Sequence, residues 1–195
     1  YKLHRADSAQ TPATIKRHNI SVVSLANNHA LDFGTQGLQE TMDVLKKNSI
    51  SYFGAGNNDA EALAPYKFNG VIGKINFHLV VIGGLDFDAK YDSTYAFYSS
   101  ENKPGVNKLT SERISQQIKN IRKEDATAFI IVFPHWFENY VWKSEQQTKL
   151  AHAMIDAGAD MVIGHGAHMF QEIEMYNSRW IIYSLGNFVF NSPGR

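Results

Sequence analysis

Short runs of apolar residues recur along the chain, separated by longer segments in which apolar positions are spaced as on one face of a helix. Four runs are apolar nearly throughout and rich in β-branched residues: ISVVSLA (20–26), FHLVVIGG (77–84), AFIIVF (128–133) and DMVIG (160–164). Runs of this length and composition are typical of strands covered on both faces of a sheet. They predict a buried sheet whose strands are connected by helices.

The intervening segments predict amphipathic helices with recognisable ends. We expect Thr35 to cap one helix, and a second apolar stripe extends over residues 109–121. Ser144 and Gln147 form a capping-box pattern, and Gly158 is expected to end the helix that follows them.

The tail QEIEMYNSRWIIYSL (171–185) predicts two strands joined by a hairpin turn at Asn177 and Ser178. No internal repeat, low-complexity tract or linker interrupts the alternation of strands and helices. The pattern therefore predicts one α/β domain with a mixed sheet over residues 1–195.

Composition narrows the functional classes. The chain has 19 basic and 19 acidic side chains among its 195 residues, so it carries no electrostatic footprint for nucleic acid, and no nucleic-acid partner is expected. It has no cysteine, which excludes thiolate ligands and a cysteine nucleophile, so any metal must be held by nitrogen and oxygen. No membrane-length apolar stretch or signal-peptide pattern is visible. Because the chain begins at Tyr1, we expect a fragment or processed product.

Histidines follow three of the predicted strands. His29 comes just after the first run, His135 after the third, and His165 and His168 after the fourth. Ligand sites in open α/β sheets gather at the carboxyl ends of the strands, so these four side chains are expected to converge. Histidine, amide and carboxylate ligands suit zinc, manganese or iron. The alternative for the GHGAH loop is a turn whose histidines bond to backbone carbonyls. The other histidines, His4, His18, His78 and His152, are expected to be surface or structural residues.

The stretch ANNHALDFG (26–34) has its own candidates. Asn27 and Asn28 offer amide oxygens for a cation or a phosphoryl group, His29 could protonate a leaving group, and Asp32 could orient its ring. The alternative is an asparagine-rich turn before a helix. Glu138 is a further candidate beside His135.

The remaining motifs support no further functional class. FGAGNND (53–59) lacks the third glycine of a dinucleotide loop, and no G-x-S-x-G elbow or Walker loop occurs. GLDFDAKYD (84–92) places three aspartates after a strand, and we expect a solvated acidic loop rather than a ligand.

Five stretches in order carry a resemblance to a known family: VVSLANNHALDFGTQGLQETMDVL (22–45), FGAG (53–56), FPHW (133–136), LAHAMIDAGADMVIGHGAH (150–168) and IIYSLGNFVFN (181–191). Together they resemble the CapA family of bacterial capsule biosynthesis proteins, which is associated with poly-γ-glutamate and belongs to the calcineurin-like metallophosphoesterase superfamily. The resemblance implies a layered sandwich with mixed β-sheets inside and helices outside. It also implies a dinuclear site for divalent metal ions (Mn, Zn or Fe) at the sheet edge.

The resemblance also implies roles for individual residues. Asn28 and His29 look like the superfamily's Asn-His pair, in which asparagine binds metal and histidine is the acid. His135 looks like the lone histidine ligand, and His165 with His168 looks like the closing pair. Asn27, Glu138 and Asn187 are expected to contact the substrate.

Three departures from the family pattern stand out. The opening strand with its aspartate ligand does not precede residue 1, so the amino-terminal part of the fold is expected to be missing. The family's His-Pro-His is replaced by Gly166-Ala167-His168, and the family's glutamate after His-Trp comes one residue later, where Asn139 stands.

Two hypotheses follow. The first is a metal-dependent, phosphoesterase-like hydrolase that acts on an anionic polymer or phosphoester in capsule or poly-γ-glutamate biosynthesis. The second is a non-catalytic binding or scaffold module that contacts other capsule synthesis and export proteins. The resemblance implies the bacterial cell envelope as the location, with the cytoplasm as the alternative.

Overall fold

The computed structural model describes residues 3–188, so residues 189–191 of the last resembling stretch lie outside it. It contains six helices within this range: α1 (Gln10–Arg17), α2 (Gly34–Lys47), α3 (Asp59–Leu63), α4 (Ala89–Tyr95), α5 (Ser111–Glu124) and α6 (Glu145–Asp156). The strands are β1 (Val22–Ser24), β2 (Ser51–Phe53), β3 (Ala55–Gly56), β4 (Tyr66–Ile72), β5 (Ile75–Asp86), β6 (Gly105–Val106), β7 (Lys108–Leu109), β8 (Phe129–His135), β9 (Met161–Ile163), β10 (Ile173–Tyr176) and β11 (Arg179–Ile182).

Seven strands form one mixed sheet in the order β10-β11-β9-β8-β5-β4, with β7 pairing to the end of β5. The central pairs β11-β9, β9-β8 and β8-β5 are parallel, whereas the outer pairs β10-β11 and β4-β5 are antiparallel hairpins. Two small two-stranded sheets, parallel β1-β2 and antiparallel β3-β6, lie apart from it. The predicted mixed α/β fold is confirmed, and it is consistent with the metallophosphoesterase-like class.

All four apolar runs contain strands, and β10 and β11 form the predicted hairpin. Its turn residues Asn177 and Ser178 have φ values of 46° and 61°, as a tight two-residue hairpin turn requires. The antiparallel pairing of β4 with β5 was not predicted. Val71, Ile72 and Ile75 at the tip of that hairpin are largely exposed, so no buried pattern marks it in the sequence.

The helix ends follow local chemistry, with one correction. The Ser144 hydroxyl accepts from the Gln147 backbone N–H and the Gln147 side chain accepts from the Ser144 N–H, which confirms the capping box. Gly158, at φ 113°, follows α6 as predicted. The prediction for Thr35 is wrong, because α2 begins at Gly34 and no side chain caps it.

Two apolar cores position the sheet edge. One face of the large sheet packs on α5 and α6, with Ile118 and Ile130 completely buried there. The second core joins α2 to the segments after β5 and around β6, with Leu38 and Leu85 at its centre. None of the helices within residues 3–188 is long and apolar enough to cross a membrane.

Candidate functional site

The candidate site lies at the carboxyl edge of the sheets, where β8 and β9 end side by side. His135 is the last residue of β8, and a parallel bridge pairs it with His165 just beyond β9. The Trp136 N–H donates to the His165 carbonyl over 2.8 Å, and the His165 N–H donates to the Pro134 carbonyl over 3.0 Å. The ladder therefore continues past the strands and sets the two imidazoles next to each other.

These two histidines form a neutral pair, in which His135 is buried and His165 is half-buried. Their Nδ1 atoms are 3.1 Å apart and their rings meet edge to face. Burial lowers the pKa of His135 well below its usual value, and any charge on the neighbouring imidazoles of His165, His168 and His29 opposes its protonation further. Burial alone lowers the pKa of His165 to about 4. A neutral imidazole is the form that ligates a metal, so both rings are in the ligating form at neutral pH.

Two predicted site residues each have a buried polar atom whose hydrogen-bonding capacity is not used within the described residues. His165 Nε2 and Glu138 Oε2 are buried without a hydrogen-bond partner among the described residues, and such atoms in a native protein require an explanation. Two ring nitrogens that ligate one tetrahedral zinc ion lie about 3.3 Å apart, since each Zn–N bond is about 2.0–2.1 Å long. The 3.1 Å separation of the Nδ1 atoms of His135 and His165 fits a shared ion as well as a hydrogen bond. The donor chemistry therefore fits a divalent cation.

The loop after β1 holds a second pair, His29 and Asp32. His29 Nδ1 lies 2.9 Å from Asp32 Oδ2, and the Asp32 side chain is only 1% exposed. The His4 N–H also donates to Asp32 Oδ2, over 2.7 Å, and the His4 ring packs edge-on against His29. His4 is exposed, as predicted, but its place beside His29 could not be read from the sequence. Asn27 Oδ1 accepts from the His29 N–H. Asn27 therefore forms the asparagine turn that was the alternative to a ligand role.

Asn28 lies beside Tyr91, a residue for which the sequence predicted no role. Its side chain lies close enough to the hydroxyl of Tyr91, on the short helix α4 after β5, to lower the pKa of that phenol against the burial that raises it. The Tyr91 ring packs on Phe137, beyond β8, with ring centroids 4.6 Å apart. Tyr91 therefore joins the loops that follow β1, β5 and β8. The only available signal was its place in the acidic stretch after a buried strand.

Asn187 contacts both the side chain and the backbone of His168. Its Nδ1 lies 2.9 Å from Asn187 Oδ1, and the Asn187 amide donates to the His168 carbonyl over 3.3 Å. The ring of Tyr140 stacks on the His168 ring at 5.5 Å. Asn187 was expected to contact substrate, and the structure places it against a predicted metal ligand.

The backbone at Gly166, where the family has the first histidine of His-Pro-His, accommodates only glycine. Its φ is 104°, and a Cβ built there would lie 2.4 Å from the Trp136 carbonyl oxygen and 3.0 Å from His135 Nε2. This backbone has no room for a side chain at residue 166. The loop can therefore offer only His165 and His168 to the edge.

Asp86 corrects the expectation of a fully solvated acidic loop. It ends β5 half-buried, and burial raises its pKa to about 6, with the charges of Glu138 and Asp88 adding to the rise. Asp88 instead caps α4 by accepting from the N–H groups of Lys90 and Tyr91. Asp86 is thus an acidic group near Glu138 that sequence reasoning set aside.

The remaining histidines are structural, as predicted. His78 pairs with Asp125 at 2.8 Å, and His152 pairs with Glu174 at 2.8 Å.

The predicted ligands form pairs rather than one closed cluster. In the part of the chain that the structure describes, no group of three or more histidine, aspartate or glutamate side chains is arranged to hold one metal ion. His29 and His168 are close enough to perturb His135 electrostatically. The joint ligation of a metal by Asn28, His135, His165 and His168 stays a prediction.

A mixed sheet flanked by helices, with a histidine-lined carboxyl edge, defines a layered α/β protein of the class that the sequence predicted. Residues 2–192 match the family described as bacterial capsule synthesis protein PGA_cap, and the chain belongs to this family. The resemblance to CapA proteins is thereby confirmed, and the chain is a member of a capsule and poly-glutamate biosynthesis family.

Three relatives are similar over nearly all of the chain. The chain is 34% identical to the PGA biosynthesis protein CapA of Bacillus subtilis, over 97% of the chain and 48% of that protein. It is 31% identical to the capsule biosynthesis protein CapA of Bacillus anthracis, over 97% of the chain and 44% of that protein. A probable polyglutamine synthesis accessory protein of Mycobacterium tuberculosis is 29% identical, over all of the chain and 50% of its own length. The chain therefore spans about half the length of these relatives.

One solved structure supports the fold alone. A hypothetical protein from Thermus thermophilus superposes with a TM-score of 0.52 at 14% sequence identity, over 91% of this chain and 58% of its own.

Proposed function

We propose that this protein is a metal-dependent, phosphoesterase-like hydrolase that serves capsule or poly-γ-glutamate biosynthesis, with its site at the carboxyl edge of the sheet. One observation carries the proposal: the His135–His165 pair has facing Nδ1 atoms and lies within the electrostatic reach of His29 and His168. A buried ring nitrogen without a hydrogen-bond partner within the described residues, as at His165 Nε2, is costly unless a further ligand engages it. A phosphoester or another anionic group on a polymer is the substrate class that such a site takes.

Asn28, His135, His165 and His168 would hold the metal, as one or two ions of manganese, zinc or iron. When bound, such ions supply an activated water and stabilise charge on the phosphoryl oxygens.

His29 is the general acid in this proposal, and Asp32 orients it. The imidazolium donates its Nδ1 proton to Asp32 Oδ2 over 2.9 Å, so the proton given to the leaving oxygen comes from Nε2. Because the Asp32 side chain is almost completely buried, its carboxylate holds the ring in one orientation and stabilises the imidazolium. In this proposal Asn27, Glu138 and Asn187 would contact the substrate.

Hydrolysis of bis(p-nitrophenyl) phosphate, with added Mn²⁺ or Zn²⁺ and then with EDTA, tests the proposal. We expect activity only with metal, and a loss of about 10²–10⁴-fold in kcat for His29→Ala, which is the range of a general acid. His18→Ala is the matched control, because His18 is an exposed histidine that follows α1 outside the proposed site. Full activity in His29→Ala, or activity that EDTA leaves unchanged, would reject the assignment.

A binding or scaffold role is the second candidate, and one observation favours it. No cluster of three histidine or carboxylate ligands is closed within residues 3–188. In this role the chain binds the anionic polymer or other capsule synthesis and export proteins without turnover. Sedimentation with poly-γ-glutamate, with and without EDTA, separates the two: binding that survives chelation, in a protein without hydrolase activity, favours the scaffold.

We also propose the bacterial cell envelope as the site of action, as expected for a protein that works on capsule polymer. Fractionation of cells that produce the whole protein tests this, and recovery in the cytoplasmic fraction alone would contradict it.

A further inference from the structure

The segment after β11 places one asparagine against the loop that carries His168. The Leu185 N–H donates to the Gly164 carbonyl over 3.2 Å, and an antiparallel bridge pairs Leu185 with Phe170. These backbone contacts continue the pairing of β11 with its two neighbours, β9 and β10, beyond the end of the strand. Asn187, two residues further on, therefore meets His168 at a position that the backbone defines.

Two hydrogen bonds join Asn187 to His168, and together they give the Asn187 amide one orientation. The Asn187 NH₂ group donates to the His168 backbone carbonyl over 3.3 Å. A carbonyl oxygen can only accept, so the amide nitrogen must face it, and the flipped amide would set two acceptors against each other. Asn187 Oδ1 is thus the atom that faces His168 Nδ1, 2.9 Å away.

This amide oxygen decides where the imidazole of His168 holds its proton. Asn187 Oδ1 has no hydrogen to donate, so His168 Nδ1 must be the donor. A neutral imidazole has one N–H group, which leaves the lone pair on Nε2. The Tyr140 ring stacks on the same imidazole with an angle of 19° between the ring planes, so the orientation of the ring is supported from a second side.

We propose that Asn187 is a positioning residue that fixes His168 in its Nδ1–H tautomer, so that Nε2 is the nitrogen with which His168 would ligate a cation. The inference rests on the proposed function for its consequence, whereas the tautomer itself does not depend on bound metal. Partners that hold the second ring nitrogen of a ligating histidine typically contribute about 10–100-fold in metal affinity. Both hydrogen bonds of Asn187 are exposed, so we expect the lower end of this range.

Asn187→Ala removes both hydrogen bonds, whereas Asn187→Asp keeps an oxygen that accepts from Nδ1. The matched control is Asn120→Ala, which removes an exposed amide on α5, where its oxygen accepts from Gln116 over 2.8 Å. The first measurement uses the metal-free protein at pH 8, where an imidazole is neutral. The ¹⁵N chemical shifts of the two ring nitrogens of His168, assigned by their loss in His168→Gln, report which nitrogen carries the hydrogen. The second measurement is Zn²⁺ affinity by calorimetry, and thermal unfolding checks that each variant is folded.

We expect the Nδ1–H tautomer in wild type, Asn187→Asp and Asn120→Ala, and a shift of the population toward Nε2–H in Asn187→Ala. Zn²⁺ affinity should fall about tenfold in Asn187→Ala and stay unchanged in Asn120→Ala. An Nε2–H tautomer in wild type, or an unchanged Nδ1–H tautomer in Asn187→Ala, would overturn the positioning role whether or not metal binds. Equal Zn²⁺ affinity in wild type and Asn187→Ala would overturn it as well. If the tautomers are as expected but the wild-type chain binds no Zn²⁺, the positioning role stands and the proposed metal-dependent function fails instead.

Discussion

Asp86 is expected to destabilise the folded protein above pH 6, and Asp86→Asn should relieve this. Its carboxyl group ends β5 half-buried, where desolvation and the charges of Glu138 and Asp88 raise its pKa from 3.8 to about 6. An acid whose pKa is raised by folding binds its proton more tightly in the native state. The contribution of Asp86 to the free energy of unfolding is therefore most favourable below about pH 4. It falls as the pH rises from about 4 to about 6 and is then constant.

The size of the effect follows from the shift. Two pKa units correspond to about 3 kcal/mol, and partial solvent exposure of Asp86 reduces this to about 2 kcal/mol. The asparagine keeps the geometry, because its amide oxygen can still accept from the Phe87 N–H as Asp86 Oδ1 does now, over 2.9 Å. We therefore expect Asp86→Asn to be about 2 kcal/mol more stable than wild type at pH 7.5 and nearly equal to it at pH 3.5.

Urea unfolding, followed by tryptophan fluorescence, to which the fully buried Trp136 contributes, measures this at both pH values. Asp125→Asn is a control of opposite sign. Hydrogen bonds from Thr127 and His78 lower the pKa of Asp125, so its contribution to stability is present above pH 4 and is lost as the pH falls. A difference between Asp86→Asn and wild type that does not change between pH 3.5 and pH 7.5 would refute the reasoning.

Two further predictions concern backbone geometry. Gly166→Ala should cost about 2–4 kcal/mol, because its Cβ would meet the Trp136 carbonyl oxygen at 2.4 Å in a left-handed conformation. Gly73→Ala, at φ 64° with nothing within 4 Å, should cost only about 1 kcal/mol; equal losses in urea unfolding would contradict the steric argument. Ser144→Ala should lower the stability by about 1 kcal/mol through loss of the capping box, whereas Ser144→Thr retains most of it, as thermal unfolding would show.

Local patterns predicted most of the elements that frame the site. The apolar runs at 77–84 and 128–133 became the central parallel strands β5 and β8, because a strand with one buried and one partly covered face is still apolar at most positions. The Ser144–Gln147 cap and the Asn177–Ser178 turn depend on neighbouring residues alone, so they too could be read in advance. The recurrence of histidines after strands predicted the edge at which His135 and His165 meet.

Contacts between distant residues could not be predicted in this way. The sequence does not show that His4 reaches Asp32, that Tyr91 lies beside Asn28, or that His168 turns toward Asn187, because each pair joins loops that only the sheet order brings together.

The sequence by itself determined the class of fold, which depends on local periodicity, and the family, which was identified from the resemblance of its motifs. It also determined that histidines lie at the carboxyl edge of the sheet, since they follow the apolar runs directly. Only the tertiary structure decided which side chains at the edge pair with each other: His135 faces His165, and His29 pairs with Asp32. It also decided that Asp86 is half-buried rather than solvated. The physical reason is that burial, electrostatic fields and side-chain pairing depend on which strands are neighbours, and strand neighbours are set by long-range packing.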